Sequence, residues 1–157
     1  MKYLKKYNES SDNIEQVIND IKQTIEDIFL DLKDDGYGLH IRNKEVINDH
    51  NTWGGDVYKI PFVVSLEKIQ TDGRYSDTPF IFSEVIDEFD RMFDYVSTLG
   101  DAVTDSVSAL LNNPNEHKDF NQYRYNNWSC YKDKLRKEYG LATLVRYVTI
   151  RFTLTIS

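Results

Sequence analysis

Ile14, Val17, Ile18, Ile21, Ile25, Ile28, Phe29 and Leu32 recur at intervals of three and four, the spacing that lines one face of an α-helix. A stripe this long and apolar is stable in water only against a second layer, so it constrains the fold more than any other feature of the chain. Asp12 can accept hydrogen bonds from the free N–H groups of a first turn and Glu15 can reach back, which predicts a helix starting near Asp12. Gly36 closes the pattern, because the left-handed conformation that commonly ends a helix costs glycine little.

Beyond Gly36 the period changes to two. Tyr37, Leu39 and Ile41 alternate with Gly38, His40 and Arg42, as on a half-buried strand. A polar loop, NKEVINDHNTWGGD, is expected next. A second, longer strand follows, with Tyr58, Ile60, Phe62, Val64 and Leu66 on one side. Pro61 has no N–H to give to a ladder, which predicts an edge position for this strand. QTDGRYSDTP reads as a loop. Phe82, Ile86, Phe89, Phe93, Val96 and Leu99 then return to helical spacing, with Ser83 as N-cap and Gly100 as the stop.

Val103, Val107, Leu110 and Leu111 stand at helical intervals and predict a further helix, although the Ser, Thr and Val around them are poor helix formers. Asn112 to Asn115, around Pro114, reads as a turn. Trp128, Tyr131 and Leu135 place a third amphipathic face within His117 to Tyr139. The last segment, LATLVRYVTIRFTLTIS, alternates again, Leu144, Val148, Ile150, Phe152, Leu154 and Ile156 facing one way and a polar set the other. Three strands with helices gathered between them predict an α+β fold: a two-layer sandwich of a mainly antiparallel three-stranded sheet with helices on one face. Residues 1–11 read as a basic N-terminal arm and residues 12–157 as one domain, as a chain of 157 residues allows.

The net charge of −7 is unevenly spread: +2 over residues 1–11, −13 over residues 12–105 and +4 over residues 106–157. Such a middle repels nucleic acid and attracts basic protein surfaces within a Debye length of about 8 Å. No stretch approaches the roughly 18–20 uncharged apolar residues of a membrane span, and no apolar block of signal-peptide type opens the chain. A soluble, unsecreted protein with no membrane partner is expected. Cys130 is the only cysteine, which excludes an internal disulfide.

Catalytic and metal chemistry find no support in the residue pattern. His40, His50 and His117 lie far apart and in none of the metal-binding spacings. Asp49, His50, Asn51 and Asp56 share a loop, but Trp53 falls where a calcium loop needs oxygen. Gly54 and Gly55 form no phosphate-binding frame. Asp34 and Asp35 are adjacent on a helix and point about 100° apart, so they cannot easily share a proton. Cys130 has lysines nearby and no histidine to activate it. No catalytic, cofactor-binding or metal-binding residue is nominated, and a non-enzymatic protein is expected.

Tyr123, Arg124, Tyr125, Trp128, Tyr131, Lys132, Lys134, Arg136 and Lys137 mix rings with cations, as single-strand-binding surfaces do. This is the candidate interaction patch. Its alternative is a core stripe of rings with solvated lysines, which the overall acidity favours over nucleic acid.

MKYLKKYNES, at the start, combines a Met-Lys opening, an aromatic residue and Glu9. It resembles the prohead-targeting start of internal proteins of T-even-like tailed bacteriophages, in which a maturation protease cuts after the glutamate. The resemblance implies a cut between Glu9 and Ser10 and a small phage accessory protein, virion-associated or delivered into the prohead, found in the host cytoplasm or the virion. Read on composition alone, the same residues are a basic arm. The alternative function is an acidic inhibitor that mimics the charge of DNA and binds a basic surface of a host protein.

Overall fold

A computed structural model describes residues 11–51, 55–68, 78–111, 116–119, 128–139 and 144–156. Helices α1 (Ser11–Ile28) and α2 (Leu30–Asp34) are followed by strands β1 (Tyr37–Asn43), β2 (Ile47–Asn51), β3 (Gly55–Lys68) and β4 (Phe80–Ile81). A 3-10 turn (Phe82–Glu84) leads into α3 (Ile86–Ser97). Then come β5 (Asp101–Leu111), β6 (Glu116–Asp119), α4 (Trp128–Tyr139) and β7 (Leu144–Ile156). The class is α+β, a single antiparallel sheet with its helices, as expected. The described sheet has seven strands where three were foreseen, in the order β1-β3-β7-β5-β6, with β2 pairing β3 and β4 pairing β7.

The helical stripe does what its spacing requires. Ile14, Val17, Ile18, Ile21, Ile25, Phe29 and Leu32 are buried in one cluster with Ile60, Phe62, Val64 and Leu66 of β3 and with Val148, Ile150, Phe152 and Leu154 of β7. Phe29 meets Phe89 of α3 edge-on at 5.1 Å, and Phe62 stacks on Phe152 at 5.2 Å. Asp12 lies within α1, so the helix begins ahead of the residue expected to cap it. The stripe is also carried by two helices, because Phe29, with φ −91° and ψ 6°, interrupts the regular winding. The Phe29 N–H still donates to the Ile25 carbonyl and its own carbonyl accepts from Lys33, so the face continues across the break. Gly36 has a φ of 94°, the left-handed stop expected of it.

Four expectations are corrected. Strand β3 is internal, between β1/β2 and β7. Pro61 is tolerated there because its ring nitrogen and carbonyl point to the side where the chain leaves β1 before entering β2, and the Lys44 N–H donates to the Pro61 carbonyl at 2.9 Å. The loop expected over Asn43–Asp56 contains β2, which pairs with β3 from Ile47↔Lys59 to Asn51↔Gly55. The segment Asp101–Leu111 is a strand. A bulge skips Asp105 between the Thr104↔Phe152 and Ser106↔Arg151 pairs. Thr104 and Val107 therefore both face inward while Val103, paired with Thr153, stands on the other face, so the interval from Val103 to Val107 that suggested a helix joins residues of two faces. Finally, Ser83 is exposed in the 3-10 turn, and α3 has Val85 at its N-cap position with no side-chain cap.

Gly100 ends the helical region for a reason other than a left-handed turn: a Cβ there would collide with the Thr155 carbonyl of β7. In β7 the inward face starts at Val145, 2% exposed, while Leu144 is 41% exposed. A second irregularity against β5, between Leu110 and Leu111, shifts the alternation near Arg146. Of the segment His117–Tyr139, expected to be a helix, Glu116–Asp119 forms β6 and Trp128–Tyr139 forms α4. The turn expected over residues 112–115, and Trp53, lie outside the described residues.

Candidate interaction surfaces

Residues 12–105 hold most of the carboxylates, and the fold collects those of its helices on one layer. Because the apolar stripe of α1 faces the sheet, Glu15, Asp20, Glu26 and Asp27 are exposed on the opposite side. Asp31, Asp34 and Asp35 continue that surface along α2 and its C-cap, and Glu84 of the 3-10 turn with Asp87 and Asp94 of α3, which packs beside α1, add to it. Lys22, Lys33 and Arg91 are the cations of these three helices. Arg91 is engaged by Glu88 at 3.1 Å. Asp34 and Asp35 are exposed helix-end residues.

The other face of the sheet has a different character. Ser65 and Thr149 share a hydrogen bond of 2.9 Å, and the Thr153 hydroxyl donates to Asp105 at 2.6 Å. Arg42, Lys59 and Arg151 stand on this side. His40 is in contact with Glu67, Nε2 to Oε1 at 3.1 Å, which is a pairing role. The molecule thus presents a carboxylate-rich helical layer and a hydroxyl-rich sheet face with several cations.

A buried tyrosine sits under the acidic layer. The Tyr37 hydroxyl is held above its ordinary 10.0, first by burial, then by the charges of Glu84 and Asp35, a hydrogen bond with Glu84 and the charge of Glu88. Tyr131 is raised from the same value by burial and then by Asp105. Among the described residues, no group of His, Cys, Asp and Glu is arranged to hold a metal.

The aromatic and basic patch is divided by the fold. Trp128 is 3% exposed and Tyr131 1%, both turned into the core. Trp128 is surrounded by Phe82, Phe89 and Phe93, stacking on Phe93 at 5.7 Å. Its indole N–H donates to Asp90 Oδ1 at 2.7 Å. Lys132, one turn further along α4, donates to both Asp90 oxygens at 3.0 and 3.2 Å. Two members of the patch are therefore bound to one carboxylate of α3, and the Trp128 and Tyr131 rings are not presented for base stacking. Lys137 is exposed and Lys134 half-buried. Arg136 lies on α4, while Tyr123, Arg124, Glu9 and Ser10 lie outside the described residues.

Among the described residues, cavities open at the surface in two places. One of about 650 Å³ follows the β1 edge and is lined by Glu26, Leu39, His40, Ile41, Arg42 and residues of β3. The other, of about 370 Å³, lies between α3 and α4 beside the Asp90–Lys132 pair. Asp90 as the partner of Trp128 had no sequence signal, since the two are 38 residues apart. The outer position of β1 among the described strands was equally hidden, because it follows from strand order.

The chain matches no protein-family model, no curated protein and no solved structure. Among the described residues, no helix is long and apolar enough to cross a membrane.

Proposed function

We propose that this protein acts by binding, and that the outer surface of α1, α2 and α3 docks on a basic surface of a partner protein. The observation that carries this reading is the placement of Glu15, Asp20, Glu26, Asp27, Asp31 and Asp34 on one helical layer, away from the cations of the sheet face. A surface of closely spaced carboxylates on a rigid scaffold offers a cationic groove the charge pattern that DNA offers it. On this reading the protein is an acidic inhibitor of a host protein and needs no cofactor.

The test is capture of a partner by the full chain at low and high salt, with duplex DNA as competitor. The partner should be displaced by DNA, released as salt rises, and not captured by a variant carrying Asp20→Lys, Asp27→Lys and Asp31→Lys. Capture that survives high salt and the triple substitution would remove the basis of the proposal.

A second reading rests on the opening residues MKYLKKYNES: a phage protein delivered to the prohead and cut between Glu9 and Ser10. Mass spectrometry of purified particles should then find a chain beginning at Ser10, and its absence from particles would refute delivery.

A further inference from the structure

The sheet face turned away from the helices holds two arginines on either side of one valine. Arg42 of β1 and Arg151 of β7 are the cross-strand neighbours of Val63 in β3. Neither arginine side chain makes a hydrogen bond or ion pair among the described residues, although acidic side chains outnumber basic ones in the chain by 26 to 19. Their strands are two spacings apart, about 10 Å. Val63 points out of the sheet between them, outside the core cluster, and is still only 2% exposed. Among the described residues, the arginines are the long side chains beside it, and apolar stems that cover a valine leave their guanidinium heads above it.

Hydroxyl groups adjoin the arginines. Thr149, next outward-facing residue to Arg151 on β7, stands between Ser65 of β3 and Ser108 of β5. Ser65 and Thr149 share one hydrogen bond of 2.9 Å, which uses one of their two protons and leaves the other to donate elsewhere. Ser108 is 4% exposed, and its hydroxyl has no partner among the described residues. The cavity of about 650 Å³ reaches this face at His40, Arg42, Val63, Ser65 and Glu67. Two carboxylates border the arginines and both are engaged, Glu67 by His40 and Asp105 by the Thr153 hydroxyl.

We infer that Arg42 and Arg151, with the Ser65–Thr149 hydroxyl pair, bind the terminal phosphate of a small phosphomonoester. A guanidinium fork matches the oxygens of a phosphate or of a carboxylate. Donors here come from three sides: β1, β7 and the hydroxyl row. A phosphomonoester has three terminal oxygens to meet them, whereas a carboxylate, or a phosphodiester within a nucleic-acid strand, has two. The volume of the cavity lies in the range of about 300–1,000 Å³ usual for small-molecule sites, which gives the rest of the ligand its place. This face lies opposite the acidic helical layer, so the inference does not rest on the docking proposed for that layer.

The test titrates isotope-labelled full chain with phenyl phosphate at constant ionic strength and follows the amide chemical shifts. Saturable shifts should centre on Arg42, Val63, Ser65, Thr149 and Arg151, and inorganic phosphate should compete for the same residues. Arg42→Gln and Arg151→Gln should each raise the dissociation constant about tenfold, as loss of a charge-assisted hydrogen bond does. Thr149→Val should raise it about threefold, the effect of losing a neutral one. Lys59→Gln, which removes another cation of the same face, is the control and should change it less than about twofold. Arg42 is exposed, so Arg42→Gln keeps the fold and decides the matter even where Arg151→Gln or Thr149→Val disturbs the sheet. No saturable shifts up to about 10 mM phenyl phosphate overturn the inference. So does binding indifferent to Arg42→Gln, or weakened as much by Lys59→Gln. Acetate binding as tightly as phenyl phosphate overturns the choice of ligand, and so does tighter binding of an oligothymidylate that lacks a terminal phosphate.

Discussion

Replacing Asp90 by alanine removes one carboxylate that serves two donors on α4. The indole N–H of Trp128, in a side chain 3% exposed, loses its acceptor at 2.7 Å. A hydrogen bond to a charged acceptor contributes about 1.5–3 kcal/mol. The Lys132 ion pair is partly exposed, with side-chain exposures of 17% and 33%, and adds about 0.2–1 kcal/mol at that degree of screening. Asp90→Ala should therefore lower the unfolding free energy by about 2–4 kcal/mol, a large share of the roughly 5–15 kcal/mol typical of a domain. Asp90→Asn, which keeps an oxygen acceptor, should cost about 1 kcal/mol. Urea unfolding followed by circular dichroism measures both. The same Asp90→Ala change made in a Trp128→Phe background should cost less, by the value of the missing hydrogen bond. A loss within about 0.5 kcal/mol for Asp90→Ala, or an equal loss in both backgrounds, would refute the reasoning.

Gly100→Ala should destabilise by about 1–3 kcal/mol, as overpacking does, because its Cβ meets the Thr155 backbone carbonyl and β7 has to move; chemical denaturation reads the change. Gly36→Ala should cost about 1–2 kcal/mol because of its left-handed backbone, with φ 94°, and the same assay checks it. Tyr37 and Tyr131 both have folded-state pKa values raised above the ordinary 10.0. Their contribution to stability is therefore complete below about pH 10 and lost as pH rises through the folded values. Absorbance at 295 nm should show a late-ionising component that Tyr37→Phe and Tyr131→Phe each reduce, accompanied by loss of folded structure at alkaline pH.

Sequence patterns read well where the physics was local. The α1–α2 stripe, the Gly36 stop and the run of β7 from Leu144 to Ile156 follow from periods of 3.6 and two and from a single backbone preference. Reading failed where distant residues decided. The bulge at Asp105 breaks the alternation of β5, so Val103 and Val107, four residues apart, stand on opposite faces of a strand and not on one face of a helix. Pro61 was placed at an edge because its own strand gave no hint that β1 and β2 would leave a gap opposite it. The charge imbalance of residues 12–105 was plain in the sequence, but the gathering of its helical carboxylates on a single layer follows from which side of α1 and α3 faces the sheet. The aromatic and basic patch was legible as a composition, whereas Asp90, which holds Trp128 and Lys132 together, belongs to another helix.

The central claim is that the carboxylates of α1, α2 and α3 form the docking surface. Its most direct test is a titration of isotope-labelled full chain with oligolysine, followed by amide chemical shifts at two salt concentrations. The account expects shifts centred on Glu15, Asp20, Asp27, Asp31, Asp34, Asp87 and Asp94 that fade at high salt. Shifts centred on the sheet face around Ser65, Thr149 and Arg151, or no saturable shifts at low salt, would contradict it.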